Sequence, residues 1–275
     1  EKNSVIERLS FEELTHKEKL PQNSEGYQSE VYPSSPQWGM TIDLTTCIGC
    51  NACTLACQQE NNIPFVGEKE VSMGREMHWI RVDTYRVPVT DHHTLHFQPV
   101  TCVHCEEAPC ETVCPVNATV HSESGTNQMV YNRCIGTRYC SNNCPYKVRS
   151  FNFYAYKNNF EKPLEFILNP DVTVRSRGVM EKCTFCVQRI HQHQRDEQNA
   201  SAPTKDLKTA CQSVCPTEAI KFGDLTDPTE PVQIERQDER YFDLLKELGT
   251  RPRTGYLADV KNTPRSLAGN KEDKH

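Results

Sequence analysis

The chain has 275 residues, a hydrophobic share of 36%, a mean hydropathy of −0.69 and a formal net charge of −6. That length allows one large domain or two modest ones. No run approaches the ~18 apolar residues of a spanning helix, so any membrane contact is expected to go through a partner. The acidic balance excludes a protein whose main partner is nucleic acid, which needs a basic excess.

Residues 1–38 are polar and end in a Ser- and Pro-bearing stretch before Trp38, which reads as a linker or an extended arm over another surface. The chain opens on Glu1 without a signal-peptide hydrophobic region, and reads as a processed chain or a segment of a longer polypeptide. A short strand over 40–46 is predicted to lead into a first cysteine motif, Cys47-x2-Cys50-x2-Cys53-x3-Cys57, with Gln58 where a proline is usual. Residues 77–89, rich in Trp, Ile, Val and Tyr with Pro88 near the end, predict an edge strand.

The second motif is Cys102-x2-Cys105-x4-Cys110-x3-Cys114-Pro115. Segments 118–121 and 128–132 flank a turn-like stretch and predict a hairpin. The third motif follows as Cys134-x2-Thr137-x2-Cys140-x3-Cys144-Pro145. Residues 150–156 alternate polar and aromatic side chains, as in a half-buried strand. The fourth motif is split: Cys183-x2-Cys186, a 24-residue insertion, then Cys211-x3-Cys215-Pro216. The insertion is expected to open with a polar helix over 187–199, and a last helix is predicted over 232–248 before an irregular tail.

A motif recurring four times is an internal repeat, and it sets the architecture. Its C-x2-C-x2-C-x3-C-P form is the bacterial ferredoxin run, whose thiolates hold iron–sulfur clusters. Four motifs of four positions offer sixteen ligand slots, which fifteen cysteines and Thr137 fill with none left over. A disulfide framework fits the odd count and tight pairs poorly, and structural zinc does not call for repeated C-x3-C-P. A threonine hydroxyl stays protonated near neutral pH and cannot replace the missing thiolate, so the third motif predicts a three-iron cluster. Three [4Fe-4S] clusters and one [3Fe-4S] cluster are therefore expected. The predicted fold is α+β: two ferredoxin-like two-cluster modules, loop-rich, with insertions and a C-terminal helix and tail. The four-cluster domain is expected over 39–225 and the helix with its docking tail over 226–275.

Two-cluster ferredoxins exchange their fourth cysteines between motifs. The 19 residues from Pro115 to Arg133 suit one such unit. The second and third motifs then give Cys102, Cys105, Cys110 and Cys144 for one cubane, and Cys114, Cys134 and Cys140 for the three-iron cluster. The first and fourth give Cys47, Cys50, Cys53 and Cys215 for one cubane, and Cys57, Cys183, Cys186 and Cys211 for another. Spacing alone leaves open the other pairing, first with second and third with fourth.

The four-motif chain resembles the four-cluster subunits of the molybdopterin oxidoreductase superfamily, such as those of dimethyl sulfoxide, polysulfide and nitrate reductases. That resemblance implies pairing first with fourth and second with third. Over about residues 38–260 the chain looks most like the iron–sulfur part of the cluster-bearing subunit of alternative complex III, a bacterial quinol oxidase complex. The matching stretches are 47–57, 74–81, 134–149, 180–186 and 251–257, and Thr137 within the third motif is the most telling residue. Dimethyl sulfoxide reductase-type subunits usually have cysteine at that position and nitrate reductases tryptophan. The resemblance implies a non-catalytic electron relay from an integral-membrane quinol-binding subunit to multihaem cytochrome c subunits. It also implies a cofactor-free molybdopterin-type domain on the same polypeptide, and a place on the periplasmic side of the bacterial inner membrane. An electron-transfer subunit of an active molybdopterin-dependent reductase is the second reading, and a structural zinc-binding protein the third.

No nucleophile–base pair, phosphate loop or paired-carboxylate site stands out. His92, His93 and His96 are expected in a polar loop as solvated side chains or as supports for other ligands. His191 and His193, two apart on a helix, do not share a face. The aromatics Tyr139, Tyr146 and Phe151 to Tyr156 read as shields of the clusters from water. Between Tyr131 and Ser150 stand Arg133, Arg138, Lys147 and Arg149 and no acidic residue, whereas 41–60 holds only Asp43 and Glu60. Nearby cations favour a reduced cluster, which predicts the highest potential at Cys114, Cys134 and Cys140 and places that end against the membrane partner.

Overall fold

The computed structural model describes residues 7–10, 13–14, 36–89, 92–156, 163–199 and 206–261. Most of the expected arm, part of the 187–210 insertion and the end of the tail lie outside the described residues. In chain order the strands are β1 (Arg8–Ser10), β2 (Trp38–Asp43), β3 (Ile80–Val89), β4 (His92–Thr101), β5 (Thr119–His121), β6 (Asn127–Met129), β7 (Ser150–Phe151), β8 (Met180–Glu181), β9 (Ile220–Asp224), β10 (Tyr241–Phe242), β11 (Thr254–Leu257) and β12 (Asp259–Lys261). The helices are α1 (Ala52–Glu60), α2 (Gly67–Ser72), α3 (Pro109–Thr112), α4 (Tyr139–Asn142), α5 (Val187–Gln198), α6 (Ala210–Ser213) and α7 (Pro231–Arg236).

A four-stranded sheet of order β10-β11-β2-β9 ties the start of the first motif to the end of the fourth. β2 runs antiparallel to β9 with Ile42 opposite Ile220, and parallel to β11 with Ile42 opposite Tyr256. Its inward side chains Trp38, Met40, Ile42, Phe222 and Tyr256 form one apolar core with Cys53, Cys57 and Cys211. The β5–β6 hairpin does the equivalent job for the second and third motifs, with Thr119 opposite Met129. A second core there gathers Val103, Ala118, Tyr146 and Met180 around five cysteines.

Several elements differ from the sequence expectation. The three histidines placed in a loop lie on β4, which pairs along its whole length with β3. His96 there is half-buried and its Nδ1 is 2.7 Å from Asp259 Oδ2. The strand expected over 150–156 stops at Phe151, because Asn152 turns its backbone to Val179 and Gly178 and its side chain to Glu181. The helix expected over 232–248 ends at Arg236. Beyond it the Asp238 side chain accepts from the Arg240 amide at 2.8 Å, a local turn that competes with a helix. β10 then joins the sheet. The tail expected to be irregular supplies β11, a fully buried strand, and β12, which pairs in parallel with β1 from the arm.

Candidate metal centres

Two strand pairings set the cysteines facing one another by the same register. Ile42 and Ile220 are each five residues from a cysteine, Cys47 and Cys215, and so are Thr119 and Met129, from Cys114 and Cys134. In each case the last cysteine of one motif meets the first of another.

Backbone shape repeats as well. Two residues after the first cysteine of each motif the chain turns left-handed, at Gly49, His104, Gly136 and Phe185. Glycine is required at Gly136, where a Cβ would also stand 2.6 Å from Gly178 O. His104 and Phe185, at equivalent points of the second and fourth motifs, stack at 3.8 Å between the two halves. Three residues after the last cysteine, Asn117, Lys147 and Glu218 are left-handed too. There α3, α4 and α6 each end just ahead of the cysteine and the following proline keeps the helix from resuming. The first motif is the exception: α1 runs through Cys57 to Glu60, and Gln58 stands inside it. A helix needs the amide that proline lacks, which accounts for the departure.

The thiols gather in four sets. Cys47, Cys50 and Cys53 lie together, with Cys215 beside Cys47. Cys57 meets Cys183, Cys186 and Cys211. Cys102, Cys105, Cys110 and Cys144 line one pocket. Cys114, Cys134 and Cys140 line another, with Gly136, Thr137 and Arg138 on its wall. Neighbouring sets also lie within electrostatic reach of one another: Cys53 of Cys211, Cys102 of Cys183, and Arg149 of Cys102 and Cys110 on one side and Cys140 on the other. The sets therefore form a row, from the first motif through the fourth and second to the third.

Burial raises several of these thiols. It pushes Cys53 and Cys110 up to about 11 and Cys186 up to about 12, with neighbouring sulfurs adding to the rise. Cys114 shifts the other way. Partial burial works against its ionisation, but the amides of Val116, Ala118 and Thr119 and the Arg149 charge outweigh it and lower the thiol. Several sulfurs accept hydrogen bonds: Cys114 from Ala118 N at 3.2 Å, Cys183 from Phe185 N at 3.4 Å and Cys186 from Ala210 N at 3.4 Å. The buried Asn61 amide reaches both Cys57 Sγ, at 3.6 Å, and Cys186 Sγ, at 3.8 Å. Donors aimed at sulfur favour thiolate, the form that binds metal. Among the described residues no three His, Cys, Asp or Glu side chains converge closely enough for a single ion. The thiols of the Cys102 and Cys114 sets instead surround pockets, the arrangement that a centre with one iron per thiolate needs.

Comparison with known proteins decides the class. The 4Fe-4S dicluster domain model matches residues 46–118 and 133–219, and a second 4Fe-4S dicluster model matches 93–162. The iron–sulfur cluster-binding subunit of menaquinone reductase from Nitratidesulfovibrio vulgaris is 38% identical, over 81% of this chain and 89% of that one. The iron–sulfur subunit of a putative dimethyl sulfoxide reductase of Halobacterium salinarum is 36% identical, over 80% and 78%. Iron–sulfur subunit 1 of the Hdr-like menaquinol oxidoreductase of Archaeoglobus fulgidus is 30% identical, over 80% and 82%. The chain belongs to the ferredoxin-type 4Fe-4S subunits of the molybdopterin oxidoreductase family. Like other members it carries iron–sulfur clusters in dicluster domains, on an α+β, loop-rich fold. Among the described residues no helix is long and apolar enough to cross a membrane.

Sequence reasoning missed Asn61, Lys182 and His104 among the residues around the thiols of this family member. Asn61 could have been found from its spacing, four residues after Cys57 at the end of a helix. Lys182 and His104 could have been found only as polar residues inside or beside motifs, a signal shared with many exposed side chains. Of the four basic residues near the third motif, Arg149 is buried, Lys147, Arg133 and Arg138 are exposed, and Arg138 lies over the Phe151 and Phe153 rings.

Proposed function

We propose that the chain relays electrons through three [4Fe-4S] clusters and one [3Fe-4S] cluster, from a membrane quinol-oxidising partner to cytochrome c-type subunits, as the iron–sulfur subunit of an alternative complex III. Each cluster accepts and releases one electron at a time. The protein's part is to hold the clusters in a row, keep water away and set their potentials. The ligand sets are Cys47, Cys50, Cys53 and Cys215; Cys57, Cys183, Cys186 and Cys211; Cys102, Cys105, Cys110 and Cys144; and Cys114, Cys134 and Cys140 for the three-iron centre. The observation that carries the reading is Thr137, which lines the pocket of the three-cysteine set where a fourth thiolate would stand. The periplasmic face of the inner membrane, and a cofactor-free molybdopterin-type domain on the same polypeptide, belong to this reading.

A second reading is favoured by the relatives, whose names include menaquinone reductase and dimethyl sulfoxide reductase: an electron-transfer subunit of an active molybdopterin-dependent reductase. Membership of the 4Fe-4S dicluster family sets the zinc reading aside. Purification of the native complex separates the two that remain. Copurifying multihaem cytochromes without molybdenum support the first; bound molybdenum cofactor overturns it in favour of the second.

A further inference from the structure

Four cations are buried among the described residues: Arg149, Arg175, Lys182 and Arg253. Two have buried carboxylate partners. Arg175 Nη2 stands 2.8 Å from Glu181 Oε2, and Arg253 Nη2 stands 2.7 Å from Glu106 Oε1. Glu106 and Glu181 are also the only buried carboxylates among the described residues, so none remains for the other two cations. Lys182, 1% exposed, donates Nζ to Cys183 O at 2.8 Å. Arg149 donates to neutral groups, Thr119 Oγ1 and Asn127 Oδ1 at 3.1 Å and Met129 Sδ at 3.9 Å. A cation taken out of water without a counter-charge is strongly disfavoured, so a fold that keeps two of them has negative charge to set against them.

Their positions say where that charge is. Lys182 acts on Cys183 and on Cys110, one thiol in each of two neighbouring sets. Arg149 lines the pocket of Cys102, Cys105, Cys110 and Cys144 and faces Cys140 of the next set. Each cation thus stands at a contact between two sets. At the remaining contact, where Cys53 faces Cys211, the described residues hold no buried cation.

We propose that Lys182 and Arg149 are the internal counter-ions of the metal centres, one at each of the two contacts that flank the Cys102 set. The proposal rests on the ligand sets given above. Thiolate ligands outweigh the positive charge of an iron–sulfur core, and each added electron is a further negative charge, so a buried cation favours the reduced form. The Cys102 centre is served by both cations, the Cys183 and Cys114 centres by one each, and the Cys47 centre by neither. Both are positioning residues: they touch no substrate and act through the centres they flank.

The test is redox titration of each paramagnetic signal in the purified complex, with iron content measured alongside. Lys182→Met is expected to cut the reduced-to-oxidised ratio at fixed potential about tenfold, a shift of about 59 mV, at the Cys183 and Cys102 centres and to leave the Cys47 centre unmoved. Arg149→Met does the same at the Cys102 and Cys114 centres, and Lys182→Arg restores wild-type values. Full iron with all four midpoints unchanged overturns the proposal, and so does an equal shift of all four. If Lys182→Met does not load iron, Lys182→Arg decides: loading and wild-type midpoints support a charge role, and equal failure overturns it. Cys102→Ser and Cys183→Ser label the signals independently. If the signals moved by Lys182→Met are not those altered by these two variants, the ligand sets fail while the counter-ion role stands.

Discussion

The Asp43 amide donates to Ala219 O at 2.8 Å. Asp43 lies four residues before Cys47 and Ala219 four after Cys215, and the same bond recurs at 2.7 Å from Val130, four before Cys134, to Ala118, four after Cys114. One short backbone register therefore builds both halves of the molecule and fixes which motifs face each other.

The halves differ in what fills them. Five of the thirteen buried members of the second core are cysteines, against three of seventeen in the first, which also has the four-stranded sheet. Where thiols form the core, cluster binding supplies much of the folding free energy. Iron removal by a chelator under reducing conditions should therefore abolish amide-exchange protection around 102–151 before it does so in 38–43 and 220–224. Native-like protection at 119–121 and 127–129 in the cluster-free chain would contradict this.

The fourfold repeat of the cysteine motif was readable from spacing, because a ferredoxin run carries its own loop geometry, but spacing left two pairings of the motifs open. The helix at Val187–Gln198 and the hairpin at Thr119–Met129 were readable too. The strand Thr254–Leu257 was not, since its burial depends on β2 lying beside it, some two hundred residues away in sequence. The pairing of β4 was hidden by Thr94, His96 and Gln98, polar residues that alternate along the strand. The burial of Lys182 and Arg253 has no local signal, because distant parts of the chain enclose them.

Asn61 donates to sulfurs of Cys57 and Cys186, and hydrogen bonds to sulfur raise a cluster's potential. Asn61→Leu should lower the midpoint of the Cys57, Cys183, Cys186 and Cys211 centre and leave the Cys114 centre in place. Redox titration of the separate signals reads both.

Arg253 joins the halves: its guanidinium pairs with Glu106 and donates to Gln37 Oε1 at 2.7 Å. A Cβ at Gly125 would run into it. Removing one partner of a buried pair costs roughly 3–5 kcal/mol, so Arg253→Met should sharply shorten the half-life of the visible absorbance on heating. Gly125→Ala should act in the same direction.

The hydrogen bond from Arg189 holds the Glu60 carboxyl below its usual range, against partial burial that works to raise it. Glu60 follows the first motif and Arg189 lies on the helix after Cys186, and their charged atoms stand 2.7 Å apart. A depressed carboxylate contributes its stability above the unfolded value of about 4.3 and loses it as pH falls through the lower folded value. Glu60→Gln should therefore release iron faster than wild type at neutral pH, with the difference closing on acidification below that range. A difference independent of pH would contradict the pairing.

Electron paramagnetic resonance of the freshly isolated, oxidised protein, with iron analysis, tests the central claim most directly. A three-iron signal in wild type is expected. In Thr137→Cys it should give way to a fourth four-iron centre with one more iron per chain. A wild-type protein that lacks the three-iron signal and already holds the iron content of Thr137→Cys would contradict the account.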